Sequence, residues 1–139
     1  MFKKVLLPVD HADASSWQQA LPVALEQAQQ AGAALHIVTV VPEVLGLPNL
    51  PADYGSGMVS HATEQLDKLV KEQVSDGVSV SQKVRQGAVY REILAEAESV
   101  GADLIVMASH RPELKDYLLG PNAARVVRHA QTSVLVVRS

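Results

Sequence analysis

The feature that most constrains the fold of this chain is a repeated switch between short apolar runs and longer stretches with helical spacing. The apolar runs are almost continuous and rich in β-branched residues, which is typical of parallel strands that helices cover on both faces. Four such runs lie at residues 5–9, 34–41, 104–107 and 133–137. In a fifth run Val78, Val80 and Val84 alternate with polar residues, which predicts a half-exposed strand nearer a sheet edge.

Helical periodicity fills the intervals between these strands. Apolar residues keep a helical spacing at about residues 14–31, 57–76, 89–100 and 121–130. The resulting order, β-α-β-α-β-α-β-α-β, predicts a single doubly wound α/β domain over residues 1–139, with right-handed crossovers and a five-stranded parallel sheet between helices. Pro22 falls inside the first helical stretch and predicts a kink there.

The segment from Pro42 to about Ser56 interrupts this pattern. Its prolines and glycines are too frequent for regular structure. Two interpretations are open. In the first, the segment folds over a ligand as a lid, because it leaves the carboxyl end of the second strand. In the second, it is a tolerated surface insertion.

Composition excludes several classes of protein. The chain of 139 residues has no cysteine, which rules out disulfides, thiol catalysis and cysteine-type metal sites. A net charge of −3 and an aromatic content of 4% give no basis for binding nucleic acid or an anionic membrane. The apolar run near the N-terminus is too short for a signal peptide or a membrane span. We therefore expect a soluble protein of the cytoplasm.

The strand-like run at residues 104–107 leads into the most informative part of the sequence. It ends in the small and polar residues Ala108, Ser109 and His110, and after a loop Gly120 opens the following helix. Backbone N–H groups at a helix start bind anions, and a glycine lets the backbone approach a ligand closely. This arrangement predicts a nucleotide as the ligand.

Several segments together carry a resemblance to a known family. They are KVLLPVD at residues 4–10, Gly87 with Ile93, Ala97 and ADLIVM at 102–107, LLG at 118–120 and SVLVVR at 133–138. Over the whole chain they resemble the universal stress protein family, as an ATP-binding type with an altered glycine motif. The resemblance implies an adenine nucleotide α-hydrolase-like fold with sheet order 3-2-1-4-5, and a homodimer formed through the last strand.

The resemblance also implies where a nucleotide lies. In an open sheet of this order the crevice forms between the carboxyl ends of the first and fourth strands. Asp10 corresponds to an aspartate that accepts a hydrogen bond from the ribose, and the backbone of Val40 corresponds to the one that meets the adenine edge. A structural interpretation of Asp10 is also open, in which it caps the first helix or braces the loop at residues 11–13. The predicted nucleotide-binding residues are Pro8, Val9, Asp10, Val40, Met107, Ala108, Ser109, His110, Arg111, Gly120, Pro121 and Asn122.

The phosphate loop departs from the family's pattern. Ala108 stands where the first glycine is expected, the second glycine is missing, and eight residues separate Arg111 from Gly120, one fewer than in the pattern. Pro121 replaces the expected serine or threonine and offers neither an N–H nor a hydroxyl. Arg111 either offsets this loss by binding phosphate or is a solvated surface arginine. Asn122 either supplies the lost donors or simply belongs to a helix start.

No residue pattern supports catalysis. The five histidines lack the spacing of metal ligands, and His110 on the predicted ligand face either contacts phosphate or has a packing role. Ser109 lacks a nucleophile-elbow motif. Nothing resembles a Walker lysine or a magnesium-binding carboxylate pair, so any ATP hydrolysis is expected to be slow. We predict no catalytic and no metal-binding residues.

Three functions are open at this point. The favoured one is a regulatory stress protein that binds ATP, or else ADP or AMP, with or without Mg²⁺, and changes the surface it shows to an unidentified protein partner. The second is a structural or interaction dimer that has lost nucleotide binding, which Ala108, Pro121 and the shortened loop favour. The third is an enzyme of the wider adenine-nucleotide α-hydrolase group. The apolar run at 133–138 lies at a predicted sheet edge and favours pairing with a second copy.

Overall fold

The computed structural model describes residues 1–43, 53–109 and 121–138. Strands and α-helices alternate along this part of the chain. The strands are β1 Lys4–Val9, β2 Ala34–Val41, β3 Val80–Gln86, β4 Leu104–Ala108 and β5 Ser133–Val137. The helices are α1 Ala20–Ala31, α2 Tyr54–Gln73, α3 Val89–Val100 and α4 Pro121–His129, and a 3₁₀ turn at Ala14–Ser16 precedes α1.

These five strands form one parallel sheet in the order β3-β2-β1-β4-β5. β1 lies at the centre, with β2 on one side and β4 on the other, so the direction of winding reverses between β1 and β4. Almost every position of β1 is apolar and buried, because helices cover both faces of the sheet. The predicted doubly wound sheet of order 3-2-1-4-5 is confirmed. The polar, half-exposed strand is confirmed as the edge strand β3.

Successive side chains of the central strands enter two separate cores, because they point to opposite faces of the sheet. On one face Leu7 packs with Leu66 of α2, and α1 contributes small residues to the same core. On the other face Leu6 packs with Ile93 of α3 and Val126 of α4. Each fully buried aliphatic side chain of this kind stabilises the fold by roughly 1.5–3 kcal/mol. The two cores fix all four helices against the sheet.

The first helical stretch is divided in the structure, and α1 begins at Ala20 rather than near residue 14. Asp13 accepts a hydrogen bond from the Ser15 backbone N–H and caps the 3₁₀ turn that comes first. The predicted start of this helix is therefore wrong. Pro22 consequently lies in the first turn of α1, where backbone N–H groups have no intrahelical acceptor. The reason for expecting a kink at Pro22 does not apply, because proline removes no hydrogen bond at that position.

The predicted end of the irregular segment that starts at Pro42, about Ser56, is wrong, because α2 begins at Tyr54. Gly57 donates its backbone N–H to the Asp53 carbonyl at 2.9 Å and belongs to the first turn of that helix. Residues 44–52, on which the lid interpretation depends, lie outside the described residues. The choice between a lid and a surface insertion stays a prediction.

Candidate functional site

A cavity of about 220 Å³ opens at the carboxyl ends of β1 and β4, where the winding of the sheet reverses. Open α/β sheets bind their ligands at this position. The structure places eight of the predicted residues around the cavity, namely Pro8, Val9, Asp10, Val40, Met107, Ala108, Ser109 and Asn122. Seven further residues line it without having been predicted, namely Asp13, Ser15, Ser16, Val38, Val89, Ile93 and Ala123.

The remaining predicted residues divide into two groups. Pro121 is the exposed first residue of α4 and is not among the residues that line the cavity. His110, Arg111 and Gly120 lie outside the described residues. Their predicted contacts with phosphate therefore stay predictions.

Asp10 follows directly on β1 and has a structural role within its own loop. Its Oδ1 accepts a hydrogen bond from the Ala12 N–H at 3.0 Å, and its carbonyl accepts one from the Asp13 N–H at 3.0 Å. The brace that was one interpretation of Asp10 is thus present, whereas the capping role belongs to Asp13. Among the described residues, Asp10 Oδ2 has no hydrogen-bond partner. One oxygen of this carboxylate therefore holds the loop and the other can accept from a ligand.

A serine-rich turn forms the wall beside Asp10. Ser16 Oγ accepts the Asp10 N–H at 2.8 Å and lies 2.7 Å from the Asp13 carbonyl, to which it donates. Ser15 donates its hydroxyl to Asp13 Oδ1 at 2.7 Å. The sequence signal for this wall is an aspartate followed two and three residues later by serines at a strand end, which is a turn motif. It was missed because the stretch was assigned to one long helix.

The opposite wall of the cavity is apolar. Val38 and Val40 come from β2, and Val89 and Ile93 come from the first turns of α3. Only Val40 was predicted. The topology contains a signal for Val89 and Ile93 of α3. A helix that follows a parallel strand begins at the carboxyl edge of the sheet, where the cavity lies.

The backbone at the end of β2 passes the end of β1. The Ala34 N–H donates to the Lys3 carbonyl beside β1, and the Leu35 N–H donates to the Ser79 carbonyl beside β3. Backbone directions alternate along a strand, so the N–H and carbonyl of Val40 point toward β1. The last β1–β2 pair is Val9 with Thr39, so the Val40 carbonyl lies beyond the end of β1, on the side of the cavity.

The start of α4 forms the third wall, through Asn122 and Ala123. Backbone N–H groups in the first turn of a helix have no intrahelical acceptor and carry a partial positive charge. Ser109 differs, because its N–H donates to the Val137 carbonyl of β5 at 3.1 Å. The first N–H groups of α4 thus have no acceptor within their own helix, whereas the N–H of Ser109 is already bonded.

A buried polar network that sequence reasoning missed fastens α3 to the sheet. His36 of β2 contacts Glu96 Oε2 through Nε2 at 2.5 Å and Ser81 Oγ through Nδ1 at 2.6 Å. Arg85 of β3 donates to Glu96 Oε1 at 2.9 Å and to Glu92 Oε1 at 2.9 Å. Three elements are thus joined behind the part of α3 that lines the cavity.

The ionisation of this network follows from its hydrogen bonds. Burial opposes the charged form of Glu96, but the hydrogen bonds from His36 and Arg85 outweigh it and lower the pKa of this carboxyl. The hydrogen bond to Glu92, followed by that to Glu96, raises the pKa of Arg85. Glu96 is only 3% exposed, so its negative charge is held by its partners rather than by water.

Two negative findings apply to the residues that the structure describes. None of their helices is long and apolar enough to cross a membrane. Nor do their histidine, aspartate and glutamate side chains form a group of three that could hold a metal ion.

Comparison with known proteins extends these findings to a family. A model of the universal stress protein family matches residues 1–138. The chain belongs to the universal stress protein family. Among its relatives, universal stress protein G of Shigella flexneri is 35% identical over 143 residues, covering 99% of this chain and 100% of the relative. Universal stress protein MJ0531 of Methanocaldococcus jannaschii is 32% identical over 144 residues, covering 99% and 83% of the two chains.

Solved structures of universal stress proteins share the fold. The protein MJ0577 of Methanocaldococcus jannaschii matches with a TM-score of 0.78 and 25% identity over 100% of this chain and 97% of its own. UspA from Lactobacillus plantarum matches with a TM-score of 0.78 and 23% identity over 98% and 97%. A universal stress protein in complex with cAMP matches with a TM-score of 0.65 and 23% identity over 99% and 97%.

Proposed function

We propose that this universal stress protein binds ATP in the cavity between β1 and β4 and acts in the stress response as a regulator rather than as a catalyst. The observation that carries the proposal is the division of the cavity into an apolar wall, a carboxylate and a helix start at the point where the sheet reverses. These three surfaces match the three parts of a nucleotide.

The adenine base is assigned to the apolar wall. Val38, Val89 and Ile93 provide a surface for the ring. The carbonyl of Val40, which lies beyond the end of β1, accepts a hydrogen bond from the edge of the base. This assignment agrees with the role that the resemblance gives to Val40.

The ribose and the phosphates are assigned to opposite ends of the remaining space. Asp10 Oδ2 accepts from a ribose hydroxyl, because a carboxylate suits a donor and repels phosphate. The phosphates lie toward α4, where the N–H groups of Asn122 and Ala123 offer positive ends. Pro121 lacks an N–H, so one hydrogen-bond donor to phosphate is missing and the affinity for phosphate is lower. The affinity for AMP and ADP relative to ATP therefore reports how much the altered loop contributes.

A protein of the same fold that was solved in complex with cAMP supports an adenine nucleotide as the ligand class. The proposal includes a homodimer through β5 and a cytoplasmic location. It assigns no catalytic residue and no resident metal, so Mg²⁺ enters, if at all, together with the nucleotide.

Isothermal titration calorimetry with ATP, ADP, AMP and cAMP, with and without Mg²⁺, tests the proposal on protein first shown to be free of co-purified nucleotide. Asp10→Asn keeps an oxygen for the Ala12 N–H but alters the acceptor for the ribose. We expect it to weaken ATP binding about tenfold, the loss of roughly one good hydrogen bond to a charged group. Asn122→Ala keeps the backbone N–H and removes the side-chain amide, the second donor of this residue. We expect it to weaken the binding of ATP more than that of AMP, which carries fewer phosphates.

Asp67→Asn is the matched control, because Asp67 is exposed on α2 and does not line the cavity. Absence of binding by nucleotide-free protein would contradict the proposal and favour the interaction dimer. Equal losses in Asp10→Asn and Asp67→Asn would contradict the assignment of the ribose.

A further inference from the structure

The face formed by α3 and α4 beside the cavity carries two arginines and a histidine around one aromatic ring. We call this group the Tyr90 cluster, and it consists of Tyr90, Arg91, Arg125 and His129. Tyr90 and Arg91 lie in the first turn of α3, and the other two residues lie on α4. Tyr90 is half-buried, whereas the side chains of the other three are exposed.

The tyrosine holds these side chains in place. The guanidinium carbon of Arg125 lies 5.3 Å from the ring centroid, and the His129 ring stacks on it at 5.7 Å with an interplanar angle of 28°. Arg91 donates from Nε to the Tyr90 hydroxyl at 3.2 Å, and this hydrogen bond lowers the pKa of the phenol. The ring therefore orders three side chains that would otherwise move independently, which reduces the entropy lost when a partner binds.

No carboxylate neutralises this cluster within the described part of the chain, where the ion pairs involve other residues. Along α4, Arg125 has Arg128 three positions further on, and like-charged neighbours at this spacing destabilise a helix. Arg91 lies in the first turn of α3, where the helix dipole disfavours a cation. A chain with a net charge of −3 thus places two arginines side by side on this face without a paired carboxylate among the described residues.

The chemistry of the cluster matches a protein interface. Tyrosine and arginine are the residue types enriched at interface hot spots, whereas lysine is depleted there, and the cluster contains no lysine. Arg125 makes no hydrogen bond within the described residues, and Arg91 uses only its Nε, so both guanidinium groups keep N–H donors for carboxylates. The side chains stand on an exposed face of two helices, which suits an extended segment.

We propose that the Tyr90 cluster is a docking surface for an acidic segment of a partner protein, whose carboxylates pair with Arg91 and Arg125. The argument is one of charge complementarity, together with the ordering of both arginines by a single ring. The inference goes beyond nucleotide binding and stands whether or not the cavity is filled.

The place of the surface connects it to the cavity. Val89 precedes Tyr90 in the first turn of α3, and Asn122 lies one turn before Arg125 on α4, and both line the cavity. A partner docked on the cluster would therefore contact the same two helix starts that the ligand contacts.

Fluorescence anisotropy with a short labelled peptide rich in glutamate tests the proposal, with its glutamine counterpart as the neutral probe. We expect the native protein to bind the glutamate peptide and not the glutamine peptide, with an affinity that falls as salt is added. Arg91→Ala combined with Arg125→Ala should weaken this binding tenfold or more, as is typical of hot-spot arginines. Replacing both arginines by lysine should give an intermediate affinity, because the charge remains and the paired donors are lost.

The matched control is Lys68→Ala combined with Lys71→Ala. This change removes the same charge from α2, which packs on the opposite face of the sheet. All the variants change exposed side chains, and thermal unfolding verifies that they fold. Equal losses in the arginine and lysine variants, or no binding of the glutamate peptide by the native protein, would overturn the proposal. Tighter binding of tripolyphosphate or duplex DNA, lost in the same arginine variant, would also overturn it.

Discussion

Glu96 shows at the scale of single residues how the apolar wall of the cavity is held. Its carboxylate is 3% exposed and bridges His36 of β2 and Arg85 of β3, while Ile93, one turn earlier on α3, lines the cavity. A buried charge with fully paired oxygens fixes the position of its helix, and removal of one partner leaves the others unsatisfied. The wall of the cavity thus depends on a group that does not itself line the cavity.

Glu96→Gln is therefore expected to lower the free energy of unfolding by about 3 kcal/mol, the lower end of the cost of breaking a buried ion pair. The lower end applies because the Arg85 side chain is 26% exposed and retains Glu92. Urea unfolding measures the change. Glu98→Gln, on the exposed side of the same helix, should change the stability by less than about 0.5 kcal/mol. A similar value for both variants would contradict this account.

The same residue predicts how stability depends on pH. Because the pKa of Glu96 is lowered from its ordinary value of 4.5, the folded protein binds fewer protons than the unfolded chain near that pH. The stabilisation from ionised Glu96 is therefore fully present above pH 4.5 and is lost as the pH falls below it. The difference in unfolding free energy between the native protein and Glu96→Gln should shrink on acidification from pH 6 to pH 3, a range chosen to bracket about 4.5. A constant difference would show that Glu96 keeps no lowered pKa.

This residue-level pattern was predictable only in part. The position of Asp10 follows from the rule that parallel strands present their carboxyl ends at one edge, whereas Val40 follows from the family resemblance. His36 and Glu96 are separated by 60 positions, and their contact depends on the register between β2 and β3 and on the rotation of α3. Neither quantity is encoded in a local pattern.

The elements themselves follow closely from the apolar periodicity, whereas the ends of the helices follow less closely. β2 and β5 begin and end where the apolar runs predict. In β2 the reason is burial on both faces, which tolerates few polar residues. The start of α1 was misplaced because Asp13 forms a separate capped turn within a stretch of similar composition. The phosphate loop cannot be compared in this way, because residues 110–120 lie outside the described part of the chain.

The edge strand β5 leads to a prediction about assembly. Its outer edge has no partner strand in the described chain, and Leu135 is 36% exposed. Size-exclusion chromatography with light scattering should give twice the chain mass of 14.9 kDa, and Leu135→Lys should give a monomer, because lysine at a strand edge opposes pairing. Gln82→Lys on the opposite edge strand β3 is the control and should leave the dimer intact. A monomeric native protein at micromolar concentration would contradict the dimer.

At the scale of the whole molecule, the two helical layers differ in how much they contribute to the cavity and to the exposed surface beside it. The α1–α2 layer packs on one face of the sheet, whereas α3 and α4 on the other face contribute both to the cavity and to the Tyr90 cluster. The alternation of strands and helices is sufficient to predict the sheet order once the family resemblance is added. The sequence did not predict that residues of the cavity and of the Tyr90 cluster lie together on α3 and α4. That arrangement depends on where the winding of the sheet reverses, because the reversal decides which helices begin side by side.

An NMR titration of ¹⁵N-labelled protein with ATP would show whether ATP occupies the cavity between β1 and β4. We expect the amide signals of Asp10, Val40, Asn122 and Ala123 to shift together and saturate, while those of α2 on the opposite layer change little. Signals that do not move with ATP, or that move only away from these residues, would contradict it.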